Sequence, residues 1–200
     1  MLGQRMLTIS TTVDYPLEVD YFERESLEYY SGDTESFEIV DADSVFGDRS
    51  LRYSGFDDEI LSVSGLRNYP RRGHVIQCYH LNEVSDSWFG FGVQDSDNMY
   101  RVEWVHDISI RKVVGGSVQD LAFEGTNTVD RDVWLRYVIE WGFDTIKFRA
   151  YDQNNELAHE LEATDDEWDE GGIAFGLGGS TKAGSPQGNW DKIEVIEGVS

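Results

Sequence analysis

Apolar and polar residues alternate with a period of two along most of this chain, and a helical period of 3.6 is nearly absent. Such alternation sends successive side chains to opposite faces of an extended strand. It predicts strands over residues 7–13, 18–22, 36–40, 50–53, 59–63 and 74–81. Further strands are predicted over 87–93, 99–105, 108–114, 118–123, 133–141, 145–151, 156–162, 172–177 and 192–196. The intervening strings DSDN, VGGS, WGFD, DQNN and DEGG supply Gly, Asn and Asp where a tight turn needs them. Many short strands joined by such turns predict an all-β, two-sheet antiparallel β-sandwich.

The alternation also assigns faces. Phe89, Phe91 and Val93 share one side of their strand, and Tyr100, Val102 and Trp104 one side of the next. Val133, Leu135, Tyr137, Ile139 and Trp141 form a third row, and Ile146, Phe148 and Ala150 a fourth. These rows are the predicted core, because burying each large apolar side chain contributes roughly 1.5–3 kcal/mol. The polar knot Gln94-Asp95-Ser96-Asp97-Asn98 reads as a β-turn whose side chains satisfy their own backbone. The string GLGGSTKAGSPQGN is the one low-complexity loop.

Length and composition add bounds. At 200 residues the chain suits a single sandwich with a large core. Its only cysteine, Cys78, excludes an internal disulfide. There are 39 acidic against 16 basic residues, a formal net charge of −23, and only four of the bases are lysines. The acids are spread along the chain, and the aromatic content is too high for a disordered acidic tail. An evenly acidic, lysine-poor surface suits molar salt, where the Debye length is about 3 Å. A halophilic source is therefore expected. Binding to nucleic acid is disfavoured, since phosphate neutralisation needs a basic face. No stretch is apolar enough to span a membrane as a helix.

Residues 1–16 show no apolar secretory core, no small-residue cleavage site and no twin-arginine pair near their start. No export signal is expected from them. They are expected to be an arm or added strand docking on a neighbouring chain, with 17–200 forming the sandwich domain. This makes a homo-oligomer or larger assembly the expected state.

The order of strings is informative in itself. DYFERESLEYYSGDTESFEIVDADSVFGDRSLRYSG is followed by EILSVSG, WFGFGVQDSDNMYRVEW and DVWLRYVIEWGFDTIKFRAYDQNNEL, then GGIAFGLG and NWDKIEVI. Over roughly residues 18–197 this resembles the concanavalin A-like lectin and glucanase superfamily, in its laminin-G-like style. The resemblance implies a jelly roll. It covers glycan binders, glycoside hydrolases and structural modules alike, so function has to come from the site.

Hydrolases of that superfamily carry an E-x-D-x-x-E triplet on one strand face, and no such triplet occurs here; EIVDAD and EVSDSW lack the spacing. His74, His80, His106 and His159 are scattered, Cys78 falls inside an apolar strand, and no zinc spacing is present. A non-catalytic protein is expected. The resemblance also implies a structural calcium between an early acid and a late Asp, which matches Glu23 and Asp191 with Asp48 as a third ligand. Solvated surface acids are the alternative.

Opposite the core rows the strands present Trp88, Arg101, Arg111, Trp134, Arg136, Arg149 and Tyr151. Aromatic rings stack on sugar rings and arginine offers a planar fork to hydroxyls or carboxylates. Trp88, Arg101, Trp134, Arg136 and Tyr151 are the candidate glycan-binding set, if their strands are neighbours. A subunit interface is the second reading of this face. The third is cross-strand pairing of the arginines with Glu103 and Glu140. The expectation is a structural or attachment component of an extracellular assembly, reaching the outside by particle assembly: a virion protein of a virus of a salt-loving host, with a lectin-like domain for packing or host glycan binding. A free carbohydrate-binding module is the alternative, and a glycoside hydrolase the third class.

Overall fold

The computed structural model describes residues 18–20, 22–23, 26–41, 44–53, 60–63, 70–81, 87–104, 107–125, 133–177 and 189–197. The predicted arm over 1–16, its strand over 7–13 and most of the GLGGSTKAGSPQGN loop lie outside the described residues. The first strands are β1 (Glu18–Asp20), β2 (Tyr30–Gly32), β3 (Phe37–Val40), β4 (Ser50–Tyr53) and β5 (Ile60–Val63). The long central ones follow: β6 (His74–Leu81), β7 (Ser87–Asp95), β8 (Asn98–Trp104), β9 (Ile108–Val114) and β10 (Ser117–Glu124). The last are β11 (Trp134–Trp141), β12 (Thr145–Tyr151), β13 (Leu157–Thr164), β14 (Gly172–Leu177) and β15 (Asn189–Glu197). One 3-10 turn at Thr34–Ser36 is the sole helical element among the described residues. The sequence pattern missed β2, whose three residues, Tyr30, Ser31 and Gly32, are too few to show alternation.

Two antiparallel sheets face each other, as expected. One runs β13-β12-β11-β6-β15-β4-β3, with β1 pairing along the far part of β15. The other runs β10-β9-β8-β7-β14-β5-β2. Aromatic rings from both sheets interlock between them. Phe91 meets Trp141 edge-on at 5.5 Å, Trp104 stacks on Tyr137 at 6.0 Å, and Phe175 lies 5.4 Å from Trp190. His80 is also wholly buried, stacked on Trp190 at 4.0 Å. Its ring nitrogens reach the Tyr137 hydroxyl at 2.9 Å and the Ser87 hydroxyl at 2.7 Å. Cys78 sits in the same core, where burial pushes its thiol up.

Two predicted core residues lie outside this core. Val133 is half-buried and precedes β11. Val93 packs on the outside of the seven-stranded sheet, against Trp88, Met99, Val113 and Ala174. The cause is a bulge. Phe91 pairs with Ile173, but the next pair is Val93 with Gly172, so Gly92 is an extra residue on β7. Gly92 has φ +60, which glycine adopts without a Cβ penalty. One extra residue reverses the alternation beyond it. Past the bulge the polar knot is the turn that was expected: Asp95 pairs with Asn98, and its Oδ1 accepts from the Asp97 N–H at 2.9 Å and from Asn98 Nδ2 at 2.8 Å.

Candidate functional site

The seven candidate outward residues divide between the two sheets. Trp88, Arg101 and Arg111 lie on β7, β8 and β9 of the seven-stranded sheet, whereas Trp134, Arg136, Arg149 and Tyr151 lie on β11 and β12 of the eight-stranded sheet. The five glycan-set residues therefore do not converge on one surface.

The first group is a packed cluster. The indole of Trp88 is 2% exposed and lies against Gly176 and Gly90. A Cβ on Gly176 would come within 2.1 Å of that ring, so glycine there makes room for it. The Arg101 guanidinium lies over Trp88 at 5.5 Å. Glu103, 3% exposed, sits between Arg101 at 3.0 Å and Arg111 at 2.7 Å, and Arg111 also meets Asp120 at 2.6 Å. Trp88 therefore presents no open ring for a sugar to stack on. Pairing with acids, one of the three readings of this face, describes Arg101 and Arg111. It also describes Arg149, which bonds Glu140 and Glu160.

Two of the second group, Trp134 and Arg136, line a groove of about 400 Å³ on the outside of the eight-stranded sheet, whereas Arg149 and Tyr151 do not line it. Its lining is Ser44, Val45, Tyr79, Trp134, Arg136, Asp152, Gln153 and Asn155. Register explains the floor. Arg136 on β11 pairs with Tyr151 on β12 and with Tyr79 on β6, and Tyr79 pairs with Asp191 on β15. These four form one row across the sheet, with Trp134 two residues from Arg136 on the same side. The Arg136 guanidinium stacks on Tyr151 at 4.4 Å and donates to Gln77 Oε1 at 3.2 Å and Asn155 Oδ1 at 2.6 Å.

The turn between β12 and β13 makes one wall. Asp152 Oδ1 accepts from the Asn154 N–H at 2.9 Å and the Glu156 N–H at 2.8 Å, and its Oδ2 accepts from Asn154 Nδ2 at 3.2 Å. The Glu156 N–H first, with the Asn154 donors, holds the Asp152 carboxyl below its usual range. Asn155, at φ +62, closes the turn and turns its side chain to Arg136.

The opposite wall is Ser44 and Val45, at the start of the 44–49 loop, and the candidate metal ligands hold that loop down. Asp191 is fully buried, and its Oδ2 accepts from the Val45 N–H at 2.6 Å and the Phe46 N–H at 2.7 Å. Glu23 Oε1 accepts from the Asp48 N–H at 2.9 Å and the Arg49 N–H at 3.3 Å. Asp48 thus joins this arrangement through its backbone. Phe46 packs edge-on to Tyr79 at 5.0 Å, and Lys192 lies over Phe46 at 4.2 Å. Burial raises the Asp191 carboxyl, and the nearby charge of Glu23 adds to that shift. Asp191 Oδ1 is buried without a hydrogen bond. The donor set fits a cation in part: Oδ1 is open to one, but the other contacts are N–H groups, which repel a cation. Among the described residues no cluster of three His, Cys, Asp or Glu is arranged to hold a metal, and no helix is long and apolar enough to cross a membrane.

Sequence reasoning missed Tyr79, Ser44, Val45, Asp152, Gln153 and Asn155. Tyr79 was within reach, since it alternates outward from Cys78 and His80. The wall residues come from loops, which carry no periodic signal.

No protein-family model and no curated protein matches the sequence. Solved structures do. A protein of unknown function from Shewanella oneidensis MR-1 aligns with TM-score 0.63 and 13% identity, covering 91% of this chain and 86% of that one. The CBM2 module of the evolved Dit of Lactobacillus casei BL23 phage J-1 aligns with TM-score 0.60 and 12% identity, over 92% and 97%. The VIP36 exoplasmic/lumenal domain in its Ca2+/Man-bound form aligns with TM-score 0.60 and 10% identity, over 86% and 83%. At such identities the likeness shows the fold alone, a two-sheet antiparallel jelly roll.

Proposed function

We propose that this chain is a non-catalytic glycan-binding module whose site is the groove on the eight-stranded sheet, serving attachment in an extracellular or virion assembly. The observation that carries this reading is the groove's floor. Trp134 and Tyr79 bring aromatic rings to the lining, where a sugar can stack, and Arg136 beside them is held by two side-chain amides and a tyrosine ring. The groove's single described carboxylate, Asp152, is engaged by its own turn, whereas glycoside hydrolysis uses a pair. The fold's occurrence in the Ca2+/Man-bound VIP36 domain and in the CBM2 module of a phage Dit supports both the glycan and the virion part. Weak binding per copy, near millimolar, becomes firm through many copies on one particle. In that assembly residues 1–16 would serve as an arm or added strand contacting a neighbouring chain. A structural calcium at Asp191 Oδ1 with Glu23 would steady the 44–49 loop; its support is the orphaned oxygen. The test is Trp134→Ala with Arg136→Ala, scored by melting temperature, assembly and glycan-array binding. The expected result is lost glycan binding with folding and assembly kept. A wild-type protein that binds no glycan overturns the reading, and loss of assembly assigns this face to a subunit interface.

A further inference from the structure

We infer that the groove selects an acidic sugar, a uronic acid whose carboxylate is taken by Arg136. This rests on the glycan reading above and names the chemical class of its ligand.

The chain carries 39 acids against 16 bases, so an arginine on its surface is expected to meet a carboxylate. Arg101, Arg111 and Arg149 all do. Arg136 makes no ion pair among the described residues. Its contacts are the amide oxygens of Gln77 and Asn155 and the face of Tyr151, all neutral. Neutral partners orient a guanidinium without cancelling its charge. A guanidinium has five N–H donors. The two amide bonds engage one donor on each terminal nitrogen, leaving three of the five for a ligand.

The one described acid lining the groove, Asp152, keeps its charge but forms no ion pair with Arg136. Three donors of its own turn engage the two Asp152 oxygens. Asn155 stands between the two functions: its backbone closes the turn that occupies Asp152, and its side chain holds Arg136. The result is an oriented cation with no ion-pair partner among the described residues, beside two aromatic rings on a strongly negative body. A planar fork of this kind matches a carboxylate, and Trp134 and Tyr79 supply aromatic rings for the pyranose that bears it. The global charge of −23 acts against any anion at long range, but it is screened beyond about 8 Å at physiological salt, whereas the contact with Arg136 is direct.

The experiment compares acids with their own esters. Trimers of galacturonate, glucuronate and mannuronate, each as the free acid and as the methyl ester, are titrated into the protein in about 0.5 M NaCl. Neutral trimers of xylose and mannose are run alongside, with calorimetry as the readout. At least one uronate is expected to bind about tenfold or more tightly than its ester, the worth of a charge-assisted hydrogen bond. Arg136→Gln is expected to remove that difference, and Arg136→Lys to keep part of it. The acid–ester comparison on the wild type needs no variant, so it stands even if a variant misfolds. If acid and ester bind equally, or only neutral trimers bind, the uronate inference falls and the glycan reading stands. If no oligosaccharide binds, both fall.

Discussion

Replacing Glu103 with Gln should destabilise the fold and leave the groove untouched. The Glu103 side chain is 4% exposed, with Arg101 at 3.0 Å and Arg111 at 2.7 Å. Glutamine keeps the size and removes the charge, so both guanidiniums lose their shared counter-ion. Breaking a fully buried ion pair in this way costs about 3–5 kcal/mol. The guanidiniums here keep 15% and 27% exposure, and Arg111 retains Asp120 at 2.6 Å. Solvent and the second acid offset part of the loss, which leaves about 2–3 kcal/mol. With a urea slope of about 2 kcal/mol per molar, the unfolding midpoint should drop by about 1–1.5 M. Glu160→Gln, at the solvated pair with Arg149, should move the midpoint much less. Changing Arg101 and Glu103 together to Met should recover most of the loss, because a buried pair is readily replaced by apolar groups of similar volume. The assays are urea denaturation and glycan titration on the same samples. A Glu103→Gln midpoint equal to wild type would refute the buried-charge reasoning. Lost glycan binding in a folded Glu103→Gln protein would refute the assignment of Trp88 and Arg101 to packing.

Two further outcomes follow from charge and burial. Melting temperature should rise from millimolar to molar salt, because screening relieves the self-repulsion of a body at −23; equal values at both ends, with calcium held constant, would sink this. His80 is held neutral by burial, which lowers its pKa to about 3. Its contribution is complete above the unfolded value of about 6.5 and is lost as pH falls toward 3, at up to roughly 1.4 kcal/mol per pH unit. Between pH 6.5 and 4 the stability of His80→Gln should therefore fall less steeply than that of wild type, and equal slopes would contradict the assignment.

Local sequence determined the strands and most of the core. A side chain's face follows from parity along its strand, so spacing alone puts Tyr100, Val102 and Trp104 of β8 inside, with Leu135, Tyr137, Ile139 and Trp141 of β11. Parity failed at Val93, where the extra Gly92 reverses the count, because a bulge is a property of two paired strands. Parity also put Trp88 and Trp134 alike on outward faces. Only the strand order, β7 in one sheet and β11 in the other, separates a ring packed over Gly176 from one lining a groove. The acids show the same division of labour. Glu23 and Asp191 were legible as a pair through the resemblance, but tertiary contact made them the anchors of the 44–49 loop. Composition announced an excess of carboxylates. Only three-dimensional pairing determined that Arg101, Arg111 and Arg149 meet them while Arg136 meets amides, because hydrogen-bond partners are chosen by distance in the folded chain and leave no period in the sequence.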